Sequence, residues 1–139
     1  LVANTSVTTT TLLASGTATV QTLVSNTSIS GNTFILNGNV ATTATTGTLV
    51  LDSFATATYR TAHYIVQVTD NTNLYYHSTQ IMLLHDGSNV YQSEYNIIYS
   101  NSVLGTFNSV ISAGTVQLQF TAGAATNKTI KVLRTAVIT

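Results

Sequence analysis

Apolar and polar residues alternate along most of residues 52–139, and this alternation predicts β-strands. In residues 59–69 the apolar side holds Ala62, Tyr64, Val66 and Val68. Further predicted strands are 74–85, 90–100, 103–111, a segment around 116–120, and 129–138. Turn-forming residues separate them at Asp70-Asn71-Thr72-Asn73, Asp86-Gly87 and Ala113-Gly114. Strands at this regular spacing predict an all-β fold, an antiparallel β-sandwich or jelly-roll with almost no helix.

Residues 1–51 follow a different pattern, in which short apolar clusters recur among threonine, serine and asparagine. The clusters are Leu12-Leu13, Leu23-Val24, Phe34-Ile35-Leu36 and Leu49-Val50-Leu51. The residues between them are poor helix formers and turn formers, which favours short strands. No cluster is large enough to form a core, so we predict an extended Thr-rich N-terminal β arm or stem that partners order. The alternative is a disordered linker, against which the two three-residue apolar runs argue.

The distribution of charge along the chain indicates a boundary between two parts. Only 6% of the residues are charged, against about 25% in ordinary soluble domains. Every charged side chain lies at or after Asp52, and none lies in residues 1–51. We therefore predict an arm or stem over 1–51 and an antiparallel β-sandwich domain over 52–139.

Composition also excludes several classes of protein. The four lysines and arginines and the net charge of zero provide no basic field for a nucleic-acid backbone. The longest uncharged stretch is interrupted throughout by polar residues, so we expect no membrane insertion. With no cysteine in the chain, disulfide scaffolds and cysteine-ligated zinc are excluded.

No set of side chains has the spacing of a catalytic or metal site. His77 and His85 lie on one side of the same predicted strand, roughly 26 Å apart, which is too far for shared ligation. The segment that starts at Asp70 lacks the glycine and the distal glutamate of a calcium loop. We predict no catalytic residues, no metal, no cofactor, and a protein that is not an enzyme.

The low charge indicates that other subunits cover much of the surface, because exposed strand edges normally carry charge or proline. The candidate subunit contacts are Leu23, Val24, Phe34, Ile35, Leu36, Leu49 and Leu51. The tyrosines that can pack at an interface or stack on sugar rings are Tyr75, Tyr76, Tyr91, Tyr95 and Tyr99. Strict alternation within 90–100 places Tyr91, Ser93, Tyr95, Ile97 and Tyr99 on one face.

Several stretches resemble a module of virion proteins of tailed bacteriophages, particularly marine and cyanobacterial ones. They are residues 51–70 (LDSFATATYRTAHYIVQVTD), 81–87 (IMLLHDG), 104–107 (LGTF) and 131–135 (KVLRT), so the resemblance covers about residues 49–137. Residues 28–33 and 44–49 resemble the threonine, asparagine and glycine repeats of phage fibre stems. The resemblance implies a structural role in the virion and no catalytic residues, and proteins of this kind are often trimeric.

We therefore expect a non-enzymatic virion protein, made in the host cytoplasm, that forms part of a tail fibre or tail appendage. Its expected partners are copies of itself, with a trimer favoured, and other virion proteins. Two alternatives stay open: a capsid decoration protein, and a glycan-binding module that attaches the phage to its host.

Overall fold

The computed structural model describes residues 28–30 and 34–139, which form two antiparallel β-sheets and contain no helix. The strands are β1 (Ser28–Ser30), β2 (Phe34–Thr43), β3 (Thr48–Ala55), β4 (Tyr59–Asp70), β5 (Tyr75–His85), β6 (Val90–Tyr99), β7 (Gly105–Ser112), β8 (Thr115–Ala122) and β9 (Lys128–Ile138). One sheet has the order β1-β2-β9-β4-β5-β6, and the other has the order β3-β8-β7. The predicted all-β, antiparallel fold is confirmed, whereas the finer assignment to a jelly-roll stays a prediction.

One hydrophobic core joins the two sheets. The six-stranded sheet contributes Ala62, Tyr64, Val66 and Val68 of β4, the apolar side that alternation predicted, and the three-stranded sheet contributes Val116, Leu118 and Phe120 of β8. All of these side chains are buried. Full burial of a large apolar side chain contributes about 1.5–3 kcal/mol, so these alternating strands account for much of the stability of the fold.

Aspartate side chains fix the two turns that the sequence predicted around β5. The Asp70 carboxylate accepts the backbone N–H groups of Thr72 and Asn73 at 2.9 and 3.0 Å. In the β5–β6 hairpin, the Asp86 carboxylate accepts those of Ser88 and Asn89 at 2.8 and 2.7 Å. Each carboxylate therefore accepts backbone N–H groups of the turn, which have no partner in a neighbouring strand because the chain reverses there.

Two buried ion pairs connect distant parts of the chain. Arg134 of β9 donates from Nη1 to Asp52 of β3 at 2.6 Å and to the Ser53 carbonyl at 3.0 Å. Lys128, at the start of β9, lies 3.8 Å from the Asp70 carboxylate at the end of β4. Buried charges are stable only when they are paired and hydrogen-bonded, so these pairs constrain how the strands meet.

The structure moves the predicted boundary at residue 51. That boundary falls inside β3, and β2 pairs with β9 along its whole length, from Phe34 opposite Val137 to Thr43 opposite Lys128. Residues 34–51 are therefore part of the same folded unit as the later strands. Residues 34–51 carry no charged side chain although they belong to this unit, so the distribution of charge does not mark a limit of the fold.

A β-bulge in β6 changes the face that its last residues occupy. Asn96 has a φ of 54°, and the β5–β6 register shifts between Ser78 and Gln80. Ile98 consequently lies opposite Ser78, and Tyr99 lies opposite His77. The prediction that Ile97 and Tyr99 share the face of Tyr91 is wrong, because the bulge adds one residue to the alternation.

Candidate assembly face

The side of the six-stranded sheet that points away from the core is rich in exposed apolar side chains; we call it the outer face. Its members follow from the strand register, which aligns Val137, Thr61, Leu84 and Tyr91 in one row and Gly38, Leu133, Ile65, Gln80 and Tyr95 in another. Its exposed large apolar residues are Val40, Ile65, Met82, Leu84, Tyr91, Tyr95, Ile98, Leu133 and Val137. Lys131 is the one charged residue on this face within the described residues. A contiguous apolar surface of this kind marks a site of contact with another macromolecule.

The three-stranded sheet provides an internal comparison, because its outward side is polar. The register aligns Thr48, Thr121 and Thr106 in one row, and Val50, Gln119 and Asn108 in the next. Gln119 donates to Gln117 at 3.1 Å on the same side. We call this side the polar face. The outward sides of the two sheets therefore differ in character, and the exposed apolar side chains are concentrated on the outer face.

An aromatic pair occupies the outer face near its middle. The rings of His63 and Tyr95 stack with centroids 6.2 Å apart and an interplanar angle of 10°. Within the described residues, the Nε2 atom of His63 is buried and has no hydrogen-bond partner. Stacked rings are flat and rigid, and they lose little conformational entropy when another surface packs on them.

The predicted subunit contacts are divided among several environments. Leu51 is 1% exposed in the chain's own core, and Leu49 packs against that core. These two leucines contact their own chain because β3 turns them inward. Leu36 is half-buried on the outer face, and the backbones of Phe34 and Ile35 pair with β9. Leu23 and Val24 lie outside the described residues.

Alternation alone missed the aliphatic residues of the outer face. Ile65, Leu84 and Leu133 are 41–48% exposed, and Ile65 lies on the side of 59–69 opposite the predicted apolar side. In β4 the available signal was Ile65, which stands between His63 and Gln67 on one side of the strand. In β9 it was Leu133, which follows Lys131 on the same side. A solvated strand would carry threonine or a charged residue at such positions.

The five candidate tyrosines do not form one site. Tyr91 donates its hydroxyl to Asp86 at 2.9 Å beside the hairpin turn, and Tyr95 stacks on His63. Tyr75 lines a hollow next to Val103. Tyr76 and Tyr99 line the same cleft.

Tyr76 and Tyr99 line an open cleft of about 430 Å³ at the end of the six-stranded sheet where β5 begins and β6 ends. The remaining lining residues are Gln67, His77, Ser78, Ile98 and Ser100. No carboxylate, lysine or arginine lines it, so the cleft offers aromatic surface, hydroxyl groups and an amide. These groups suit a neutral polar ligand.

His77 is a buried titratable group on the core side of β5. Its Nδ1 atom accepts the backbone N–H of Leu104 at 3.4 Å, and its ring packs against Phe107 with centroids 6.0 Å apart. Burial lowers the pKa of His77, and the charge of Glu94 opposes that shift without reversing it. The folded chain therefore holds this imidazole neutral.

Folding stability should decrease as the pH falls below the ordinary histidine pKa of about 6.5. In the unfolded chain His77 takes up a proton there, while the folded chain resists it, so the unfolded state binds more protons. Urea unfolding at a fixed protein concentration, measured between pH 7.5 and 5, should show this loss. In His77→Gln the decrease should be smaller, and an unchanged pH profile in that variant would contradict the assignment.

Within residues 28–30 and 34–139, no three histidine, cysteine, aspartate or glutamate side chains are grouped as metal ligands are. The same residues contain no helix with the length and hydrophobicity needed to cross a membrane.

The two sheets form an all-β antiparallel module, and within the described residues its outer face carries many exposed apolar side chains and one charged residue, Lys131. No protein-family model and no curated protein matches the chain. Among solved structures it is similar to tailspike protein gp49 from Acinetobacter baumannii bacteriophage Fri1, a capsular polysaccharide depolymerase, with 15% identity over 78% of this chain and 19% of that chain and a TM-score of 0.45. It is also similar to the tailspike protein of Acinetobacter phage vB_ApiP_P1, with 12% identity over 88% of this chain and 25% of that chain and a TM-score of 0.42.

A third similar structure is the tailspike protein of Acinetobacter baumannii phage AM24, with 8% identity over 74% of this chain and 26% of that chain and a TM-score of 0.38. The chain thus spans a quarter or less of the first two tailspikes and about a quarter of the third. All three are tailspikes of Acinetobacter phages, and the marine or cyanobacterial type that the resemblance specified stays a prediction.

These comparisons correct one prediction from the sequence. The chain was expected not to be an enzyme, but the tailspike of phage Fri1 is a capsular polysaccharide depolymerase, and the non-enzymatic assignment is withdrawn. The prediction relied on the lack of paired acids or a nucleophile in the sequence pattern.

Proposed function

We propose that this chain is a structural module of a phage tail appendage and that it assembles with copies of itself through the outer face, with a trimer favoured. The observation that carries the proposal is the contrast between the outer face and the polar face. Several aliphatic side chains on one surface are 41–60% exposed, whereas the opposite surface presents mainly threonine, asparagine and glutamine. Such a module belongs in the virion.

The size of the outer face is sufficient for a stable interface. Five long strands about 4.8 Å apart, each presenting about eight residues at 3.3 Å per residue, give a flat area of roughly 600 Å². Side-chain relief adds to that area, and a standard interface buries about 800 Å² on each partner. Within the described residues Lys131 is the one charged residue among these rows, so the cost of removing water from charged groups is confined to a single side chain.

Sedimentation velocity of the purified chain at micromolar concentration tests the proposal, and we expect an oligomer consistent with three copies. The variant Leu84→Lys/Leu133→Lys should sediment as a monomer of 14.7 kDa, because it places two charges in a surface that would otherwise be dehydrated.

The matched control is Thr48→Lys/Asn108→Lys, which adds the same charge to two exposed positions of the polar face. This variant should keep the oligomer. A monomeric wild-type chain, or equal loss of assembly in both double variants, would refute the proposed assembly.

A second candidate function is recognition of a host glycan in the cleft lined by Tyr76 and Tyr99. The observation that favours it is the combination of two tyrosines with Gln67, Ser78 and Ser100 around about 430 Å³ of uncharged space. Aromatic faces pack on the C–H groups of sugar rings, while hydroxyl and amide groups bond their hydroxyls.

Titration of the oligomer with neutral oligosaccharides tests this second function. Saturable binding should be lost in Tyr99→Ala and kept in Tyr75→Ala, because Tyr75 lies outside the cleft. Equal affinity of the two variants would rule out the cleft as the glycan site.

A further inference from the structure

We propose that the outer face of one copy packs against the β6 edge of the next copy, where Lys131 of one chain pairs with Glu94 of its neighbour. This inference rests on the proposed self-assembly and specifies how the copies meet. It follows from the positions of the few charges that the chain contains.

Lys131 is exposed in the isolated chain and lies within the apolar rows of the outer face, opposite Gln67 on one side and Val40 on the other. Its neighbours along the face are Ile65 and Leu133. Covering this surface removes water from the ammonium group, and a buried charge without a partner is strongly destabilising. An assembly that uses this face must therefore supply a carboxylate.

A two-fold contact between two outer faces cannot supply one. The outer face carries no aspartate or glutamate within the described residues, and residues 1–51 contain none at all. In a two-fold contact each partner presents the same patch, so two lysines would meet with no acid between them. The geometry favours a contact between two different surfaces.

The chain has four carboxylate side chains, and three of them are already satisfied. Asp52 and Asp70 are in buried ion pairs. Asp86 accepts hydrogen bonds from the backbone of Ser88 and from the backbone, side-chain and hydroxyl donors of Asn89 and Tyr91. Glu94 remains: it is half-buried, and within the described residues no hydrogen bond or ion pair engages it.

Glu94 is also placed where a neighbour can reach it. It belongs to β6, the last strand of the six-stranded sheet, so no further strand of that sheet pairs with β6 on its other side. Its side chain lies on the core side of β6, opposite Ile81, and stays partly exposed there. Two residues earlier, Gln92 spans the space toward β7, donating to the Phe107 carbonyl at 3.3 Å and accepting from Ser109 at 2.6 Å. Contacts between unlike surfaces form a ring when the rotation between copies closes and an open filament when it does not, and the proposed trimer requires the closed case.

Zero-length cross-linking of the wild-type oligomer with a carbodiimide tests the pair. The reagent activates the Glu94 carboxyl group, the Lys131 amine attacks it, and an amide bond forms as the activating group leaves as a urea. Oligomers mixed from ¹⁴N- and ¹⁵N-labelled chains reveal whether the amide joins two copies. We expect the inter-chain Lys131–Glu94 peptide, and a Lys131 cross-link to another carboxylate instead would overturn the inference.

Charge reversal provides a second measurement. Lys131→Glu and Glu94→Lys should each raise the dissociation constant of the oligomer by roughly 100-fold or more, as expected for one broken interfacial charge pair. The double reversal should recover most of that loss, because it restores opposite charges. Unfolding curves of each variant check that the fold is kept, and Glu94→Gln and Lys131→Met replace any variant that fails to fold.

The outcomes separate the inference from the proposed function. If the wild-type chain is monomeric, self-assembly itself fails. If it is oligomeric but its dissociation constant is the same in Lys131→Glu, self-assembly stands and the Lys131–Glu94 pairing is refuted.

Discussion

Replacing Arg134 with alanine should lower the free energy of unfolding by about 3–5 kcal/mol, the range found when one partner of a buried ion pair is removed. The guanidinium bonds Asp52 at 2.6 Å and lies 5.5 and 5.6 Å from the ring centroids of Phe54 and Tyr59. Its loss leaves the Asp52 carboxylate with the Tyr64 hydroxyl, which donates to it at 3.0 Å.

The Tyr64 hydroxyl cannot replace the Arg134 guanidinium as the partner of the Asp52 carboxylate. Burial, reinforced by the Asp52 charge, raises the pKa of the Tyr64 hydroxyl far above its ordinary value. The hydroxyl therefore stays neutral and can donate one hydrogen bond but cannot balance a negative charge.

Urea unfolding at a fixed protein concentration measures the effect. The double variant Asp52→Asn/Arg134→Met is the control, because it removes both charges and should lose less stability than the sum of the two single variants. A loss below about 1 kcal/mol in Arg134→Ala would place this pair among ordinary surface ion pairs and contradict its structural role.

Gly105→Ala should be the second strongly destabilising change, with an expected loss of about 1–3 kcal/mol from overpacking. A Cβ atom at Gly105 would lie 2.5 Å from Cε2 and 2.6 Å from Cζ of Phe120, and it would also meet the backbone oxygen of Thr121. Phe120 is fully buried, so its ring cannot move away without disturbing the core. The start of β7 therefore needs a residue without a side chain.

Gly38→Ala is the matched control, since Gly38 also lies in a strand, β2. Its added Cβ would have the Val132 oxygen as its closest neighbour, at 3.9 Å, which is ordinary van der Waals contact. Thermal unfolding at one protein concentration should show a clearly lower midpoint for Gly105→Ala and almost no change for Gly38→Ala. Equal midpoints would show that the contact with Phe120 relaxes freely.

The sequence predicted the strands after residue 52 well because each of them has one buried face. In β4 and β8 every second residue is apolar, and the turns between the later strands carry aspartate, asparagine or glycine. These signals are local, so they can be read from a single chain.

Two features required information that the sequence pattern does not carry. The bulge at Asn96 is a backbone change that no residue type around it demands, and it moved Ile98 onto the outer face. The pairing of β2 with β9 joins residues about 90 positions apart in the chain, and neither strand identifies the other by composition. The arm boundary was misplaced for that reason.

The sequence suggested a contact surface of low charge, but it did not indicate which residues form the outer face. Low charge led to the prediction that part of the surface is covered, but of the leucines nominated in β3, Leu51 lies in the chain's own core and Leu49 packs against it. The outer face became visible only when register placed Leu133, Ile65 and Leu84 on one side of a sheet. Each of them is separated in sequence from the others by polar residues.

Oxidation of Met82 tests the covered outer face most directly. It is the chain's single methionine, and in the isolated chain it is 43% exposed on the outer face. Dilute peroxide converts an accessible methionine to its sulfoxide, and mass spectrometry measures the rate at one site. We predict that Met82 in the wild-type oligomer oxidises several-fold more slowly than Met82 in the Leu84→Lys/Leu133→Lys variant. Equal rates in the two proteins would show that the outer face is open to water, and they would contradict the account.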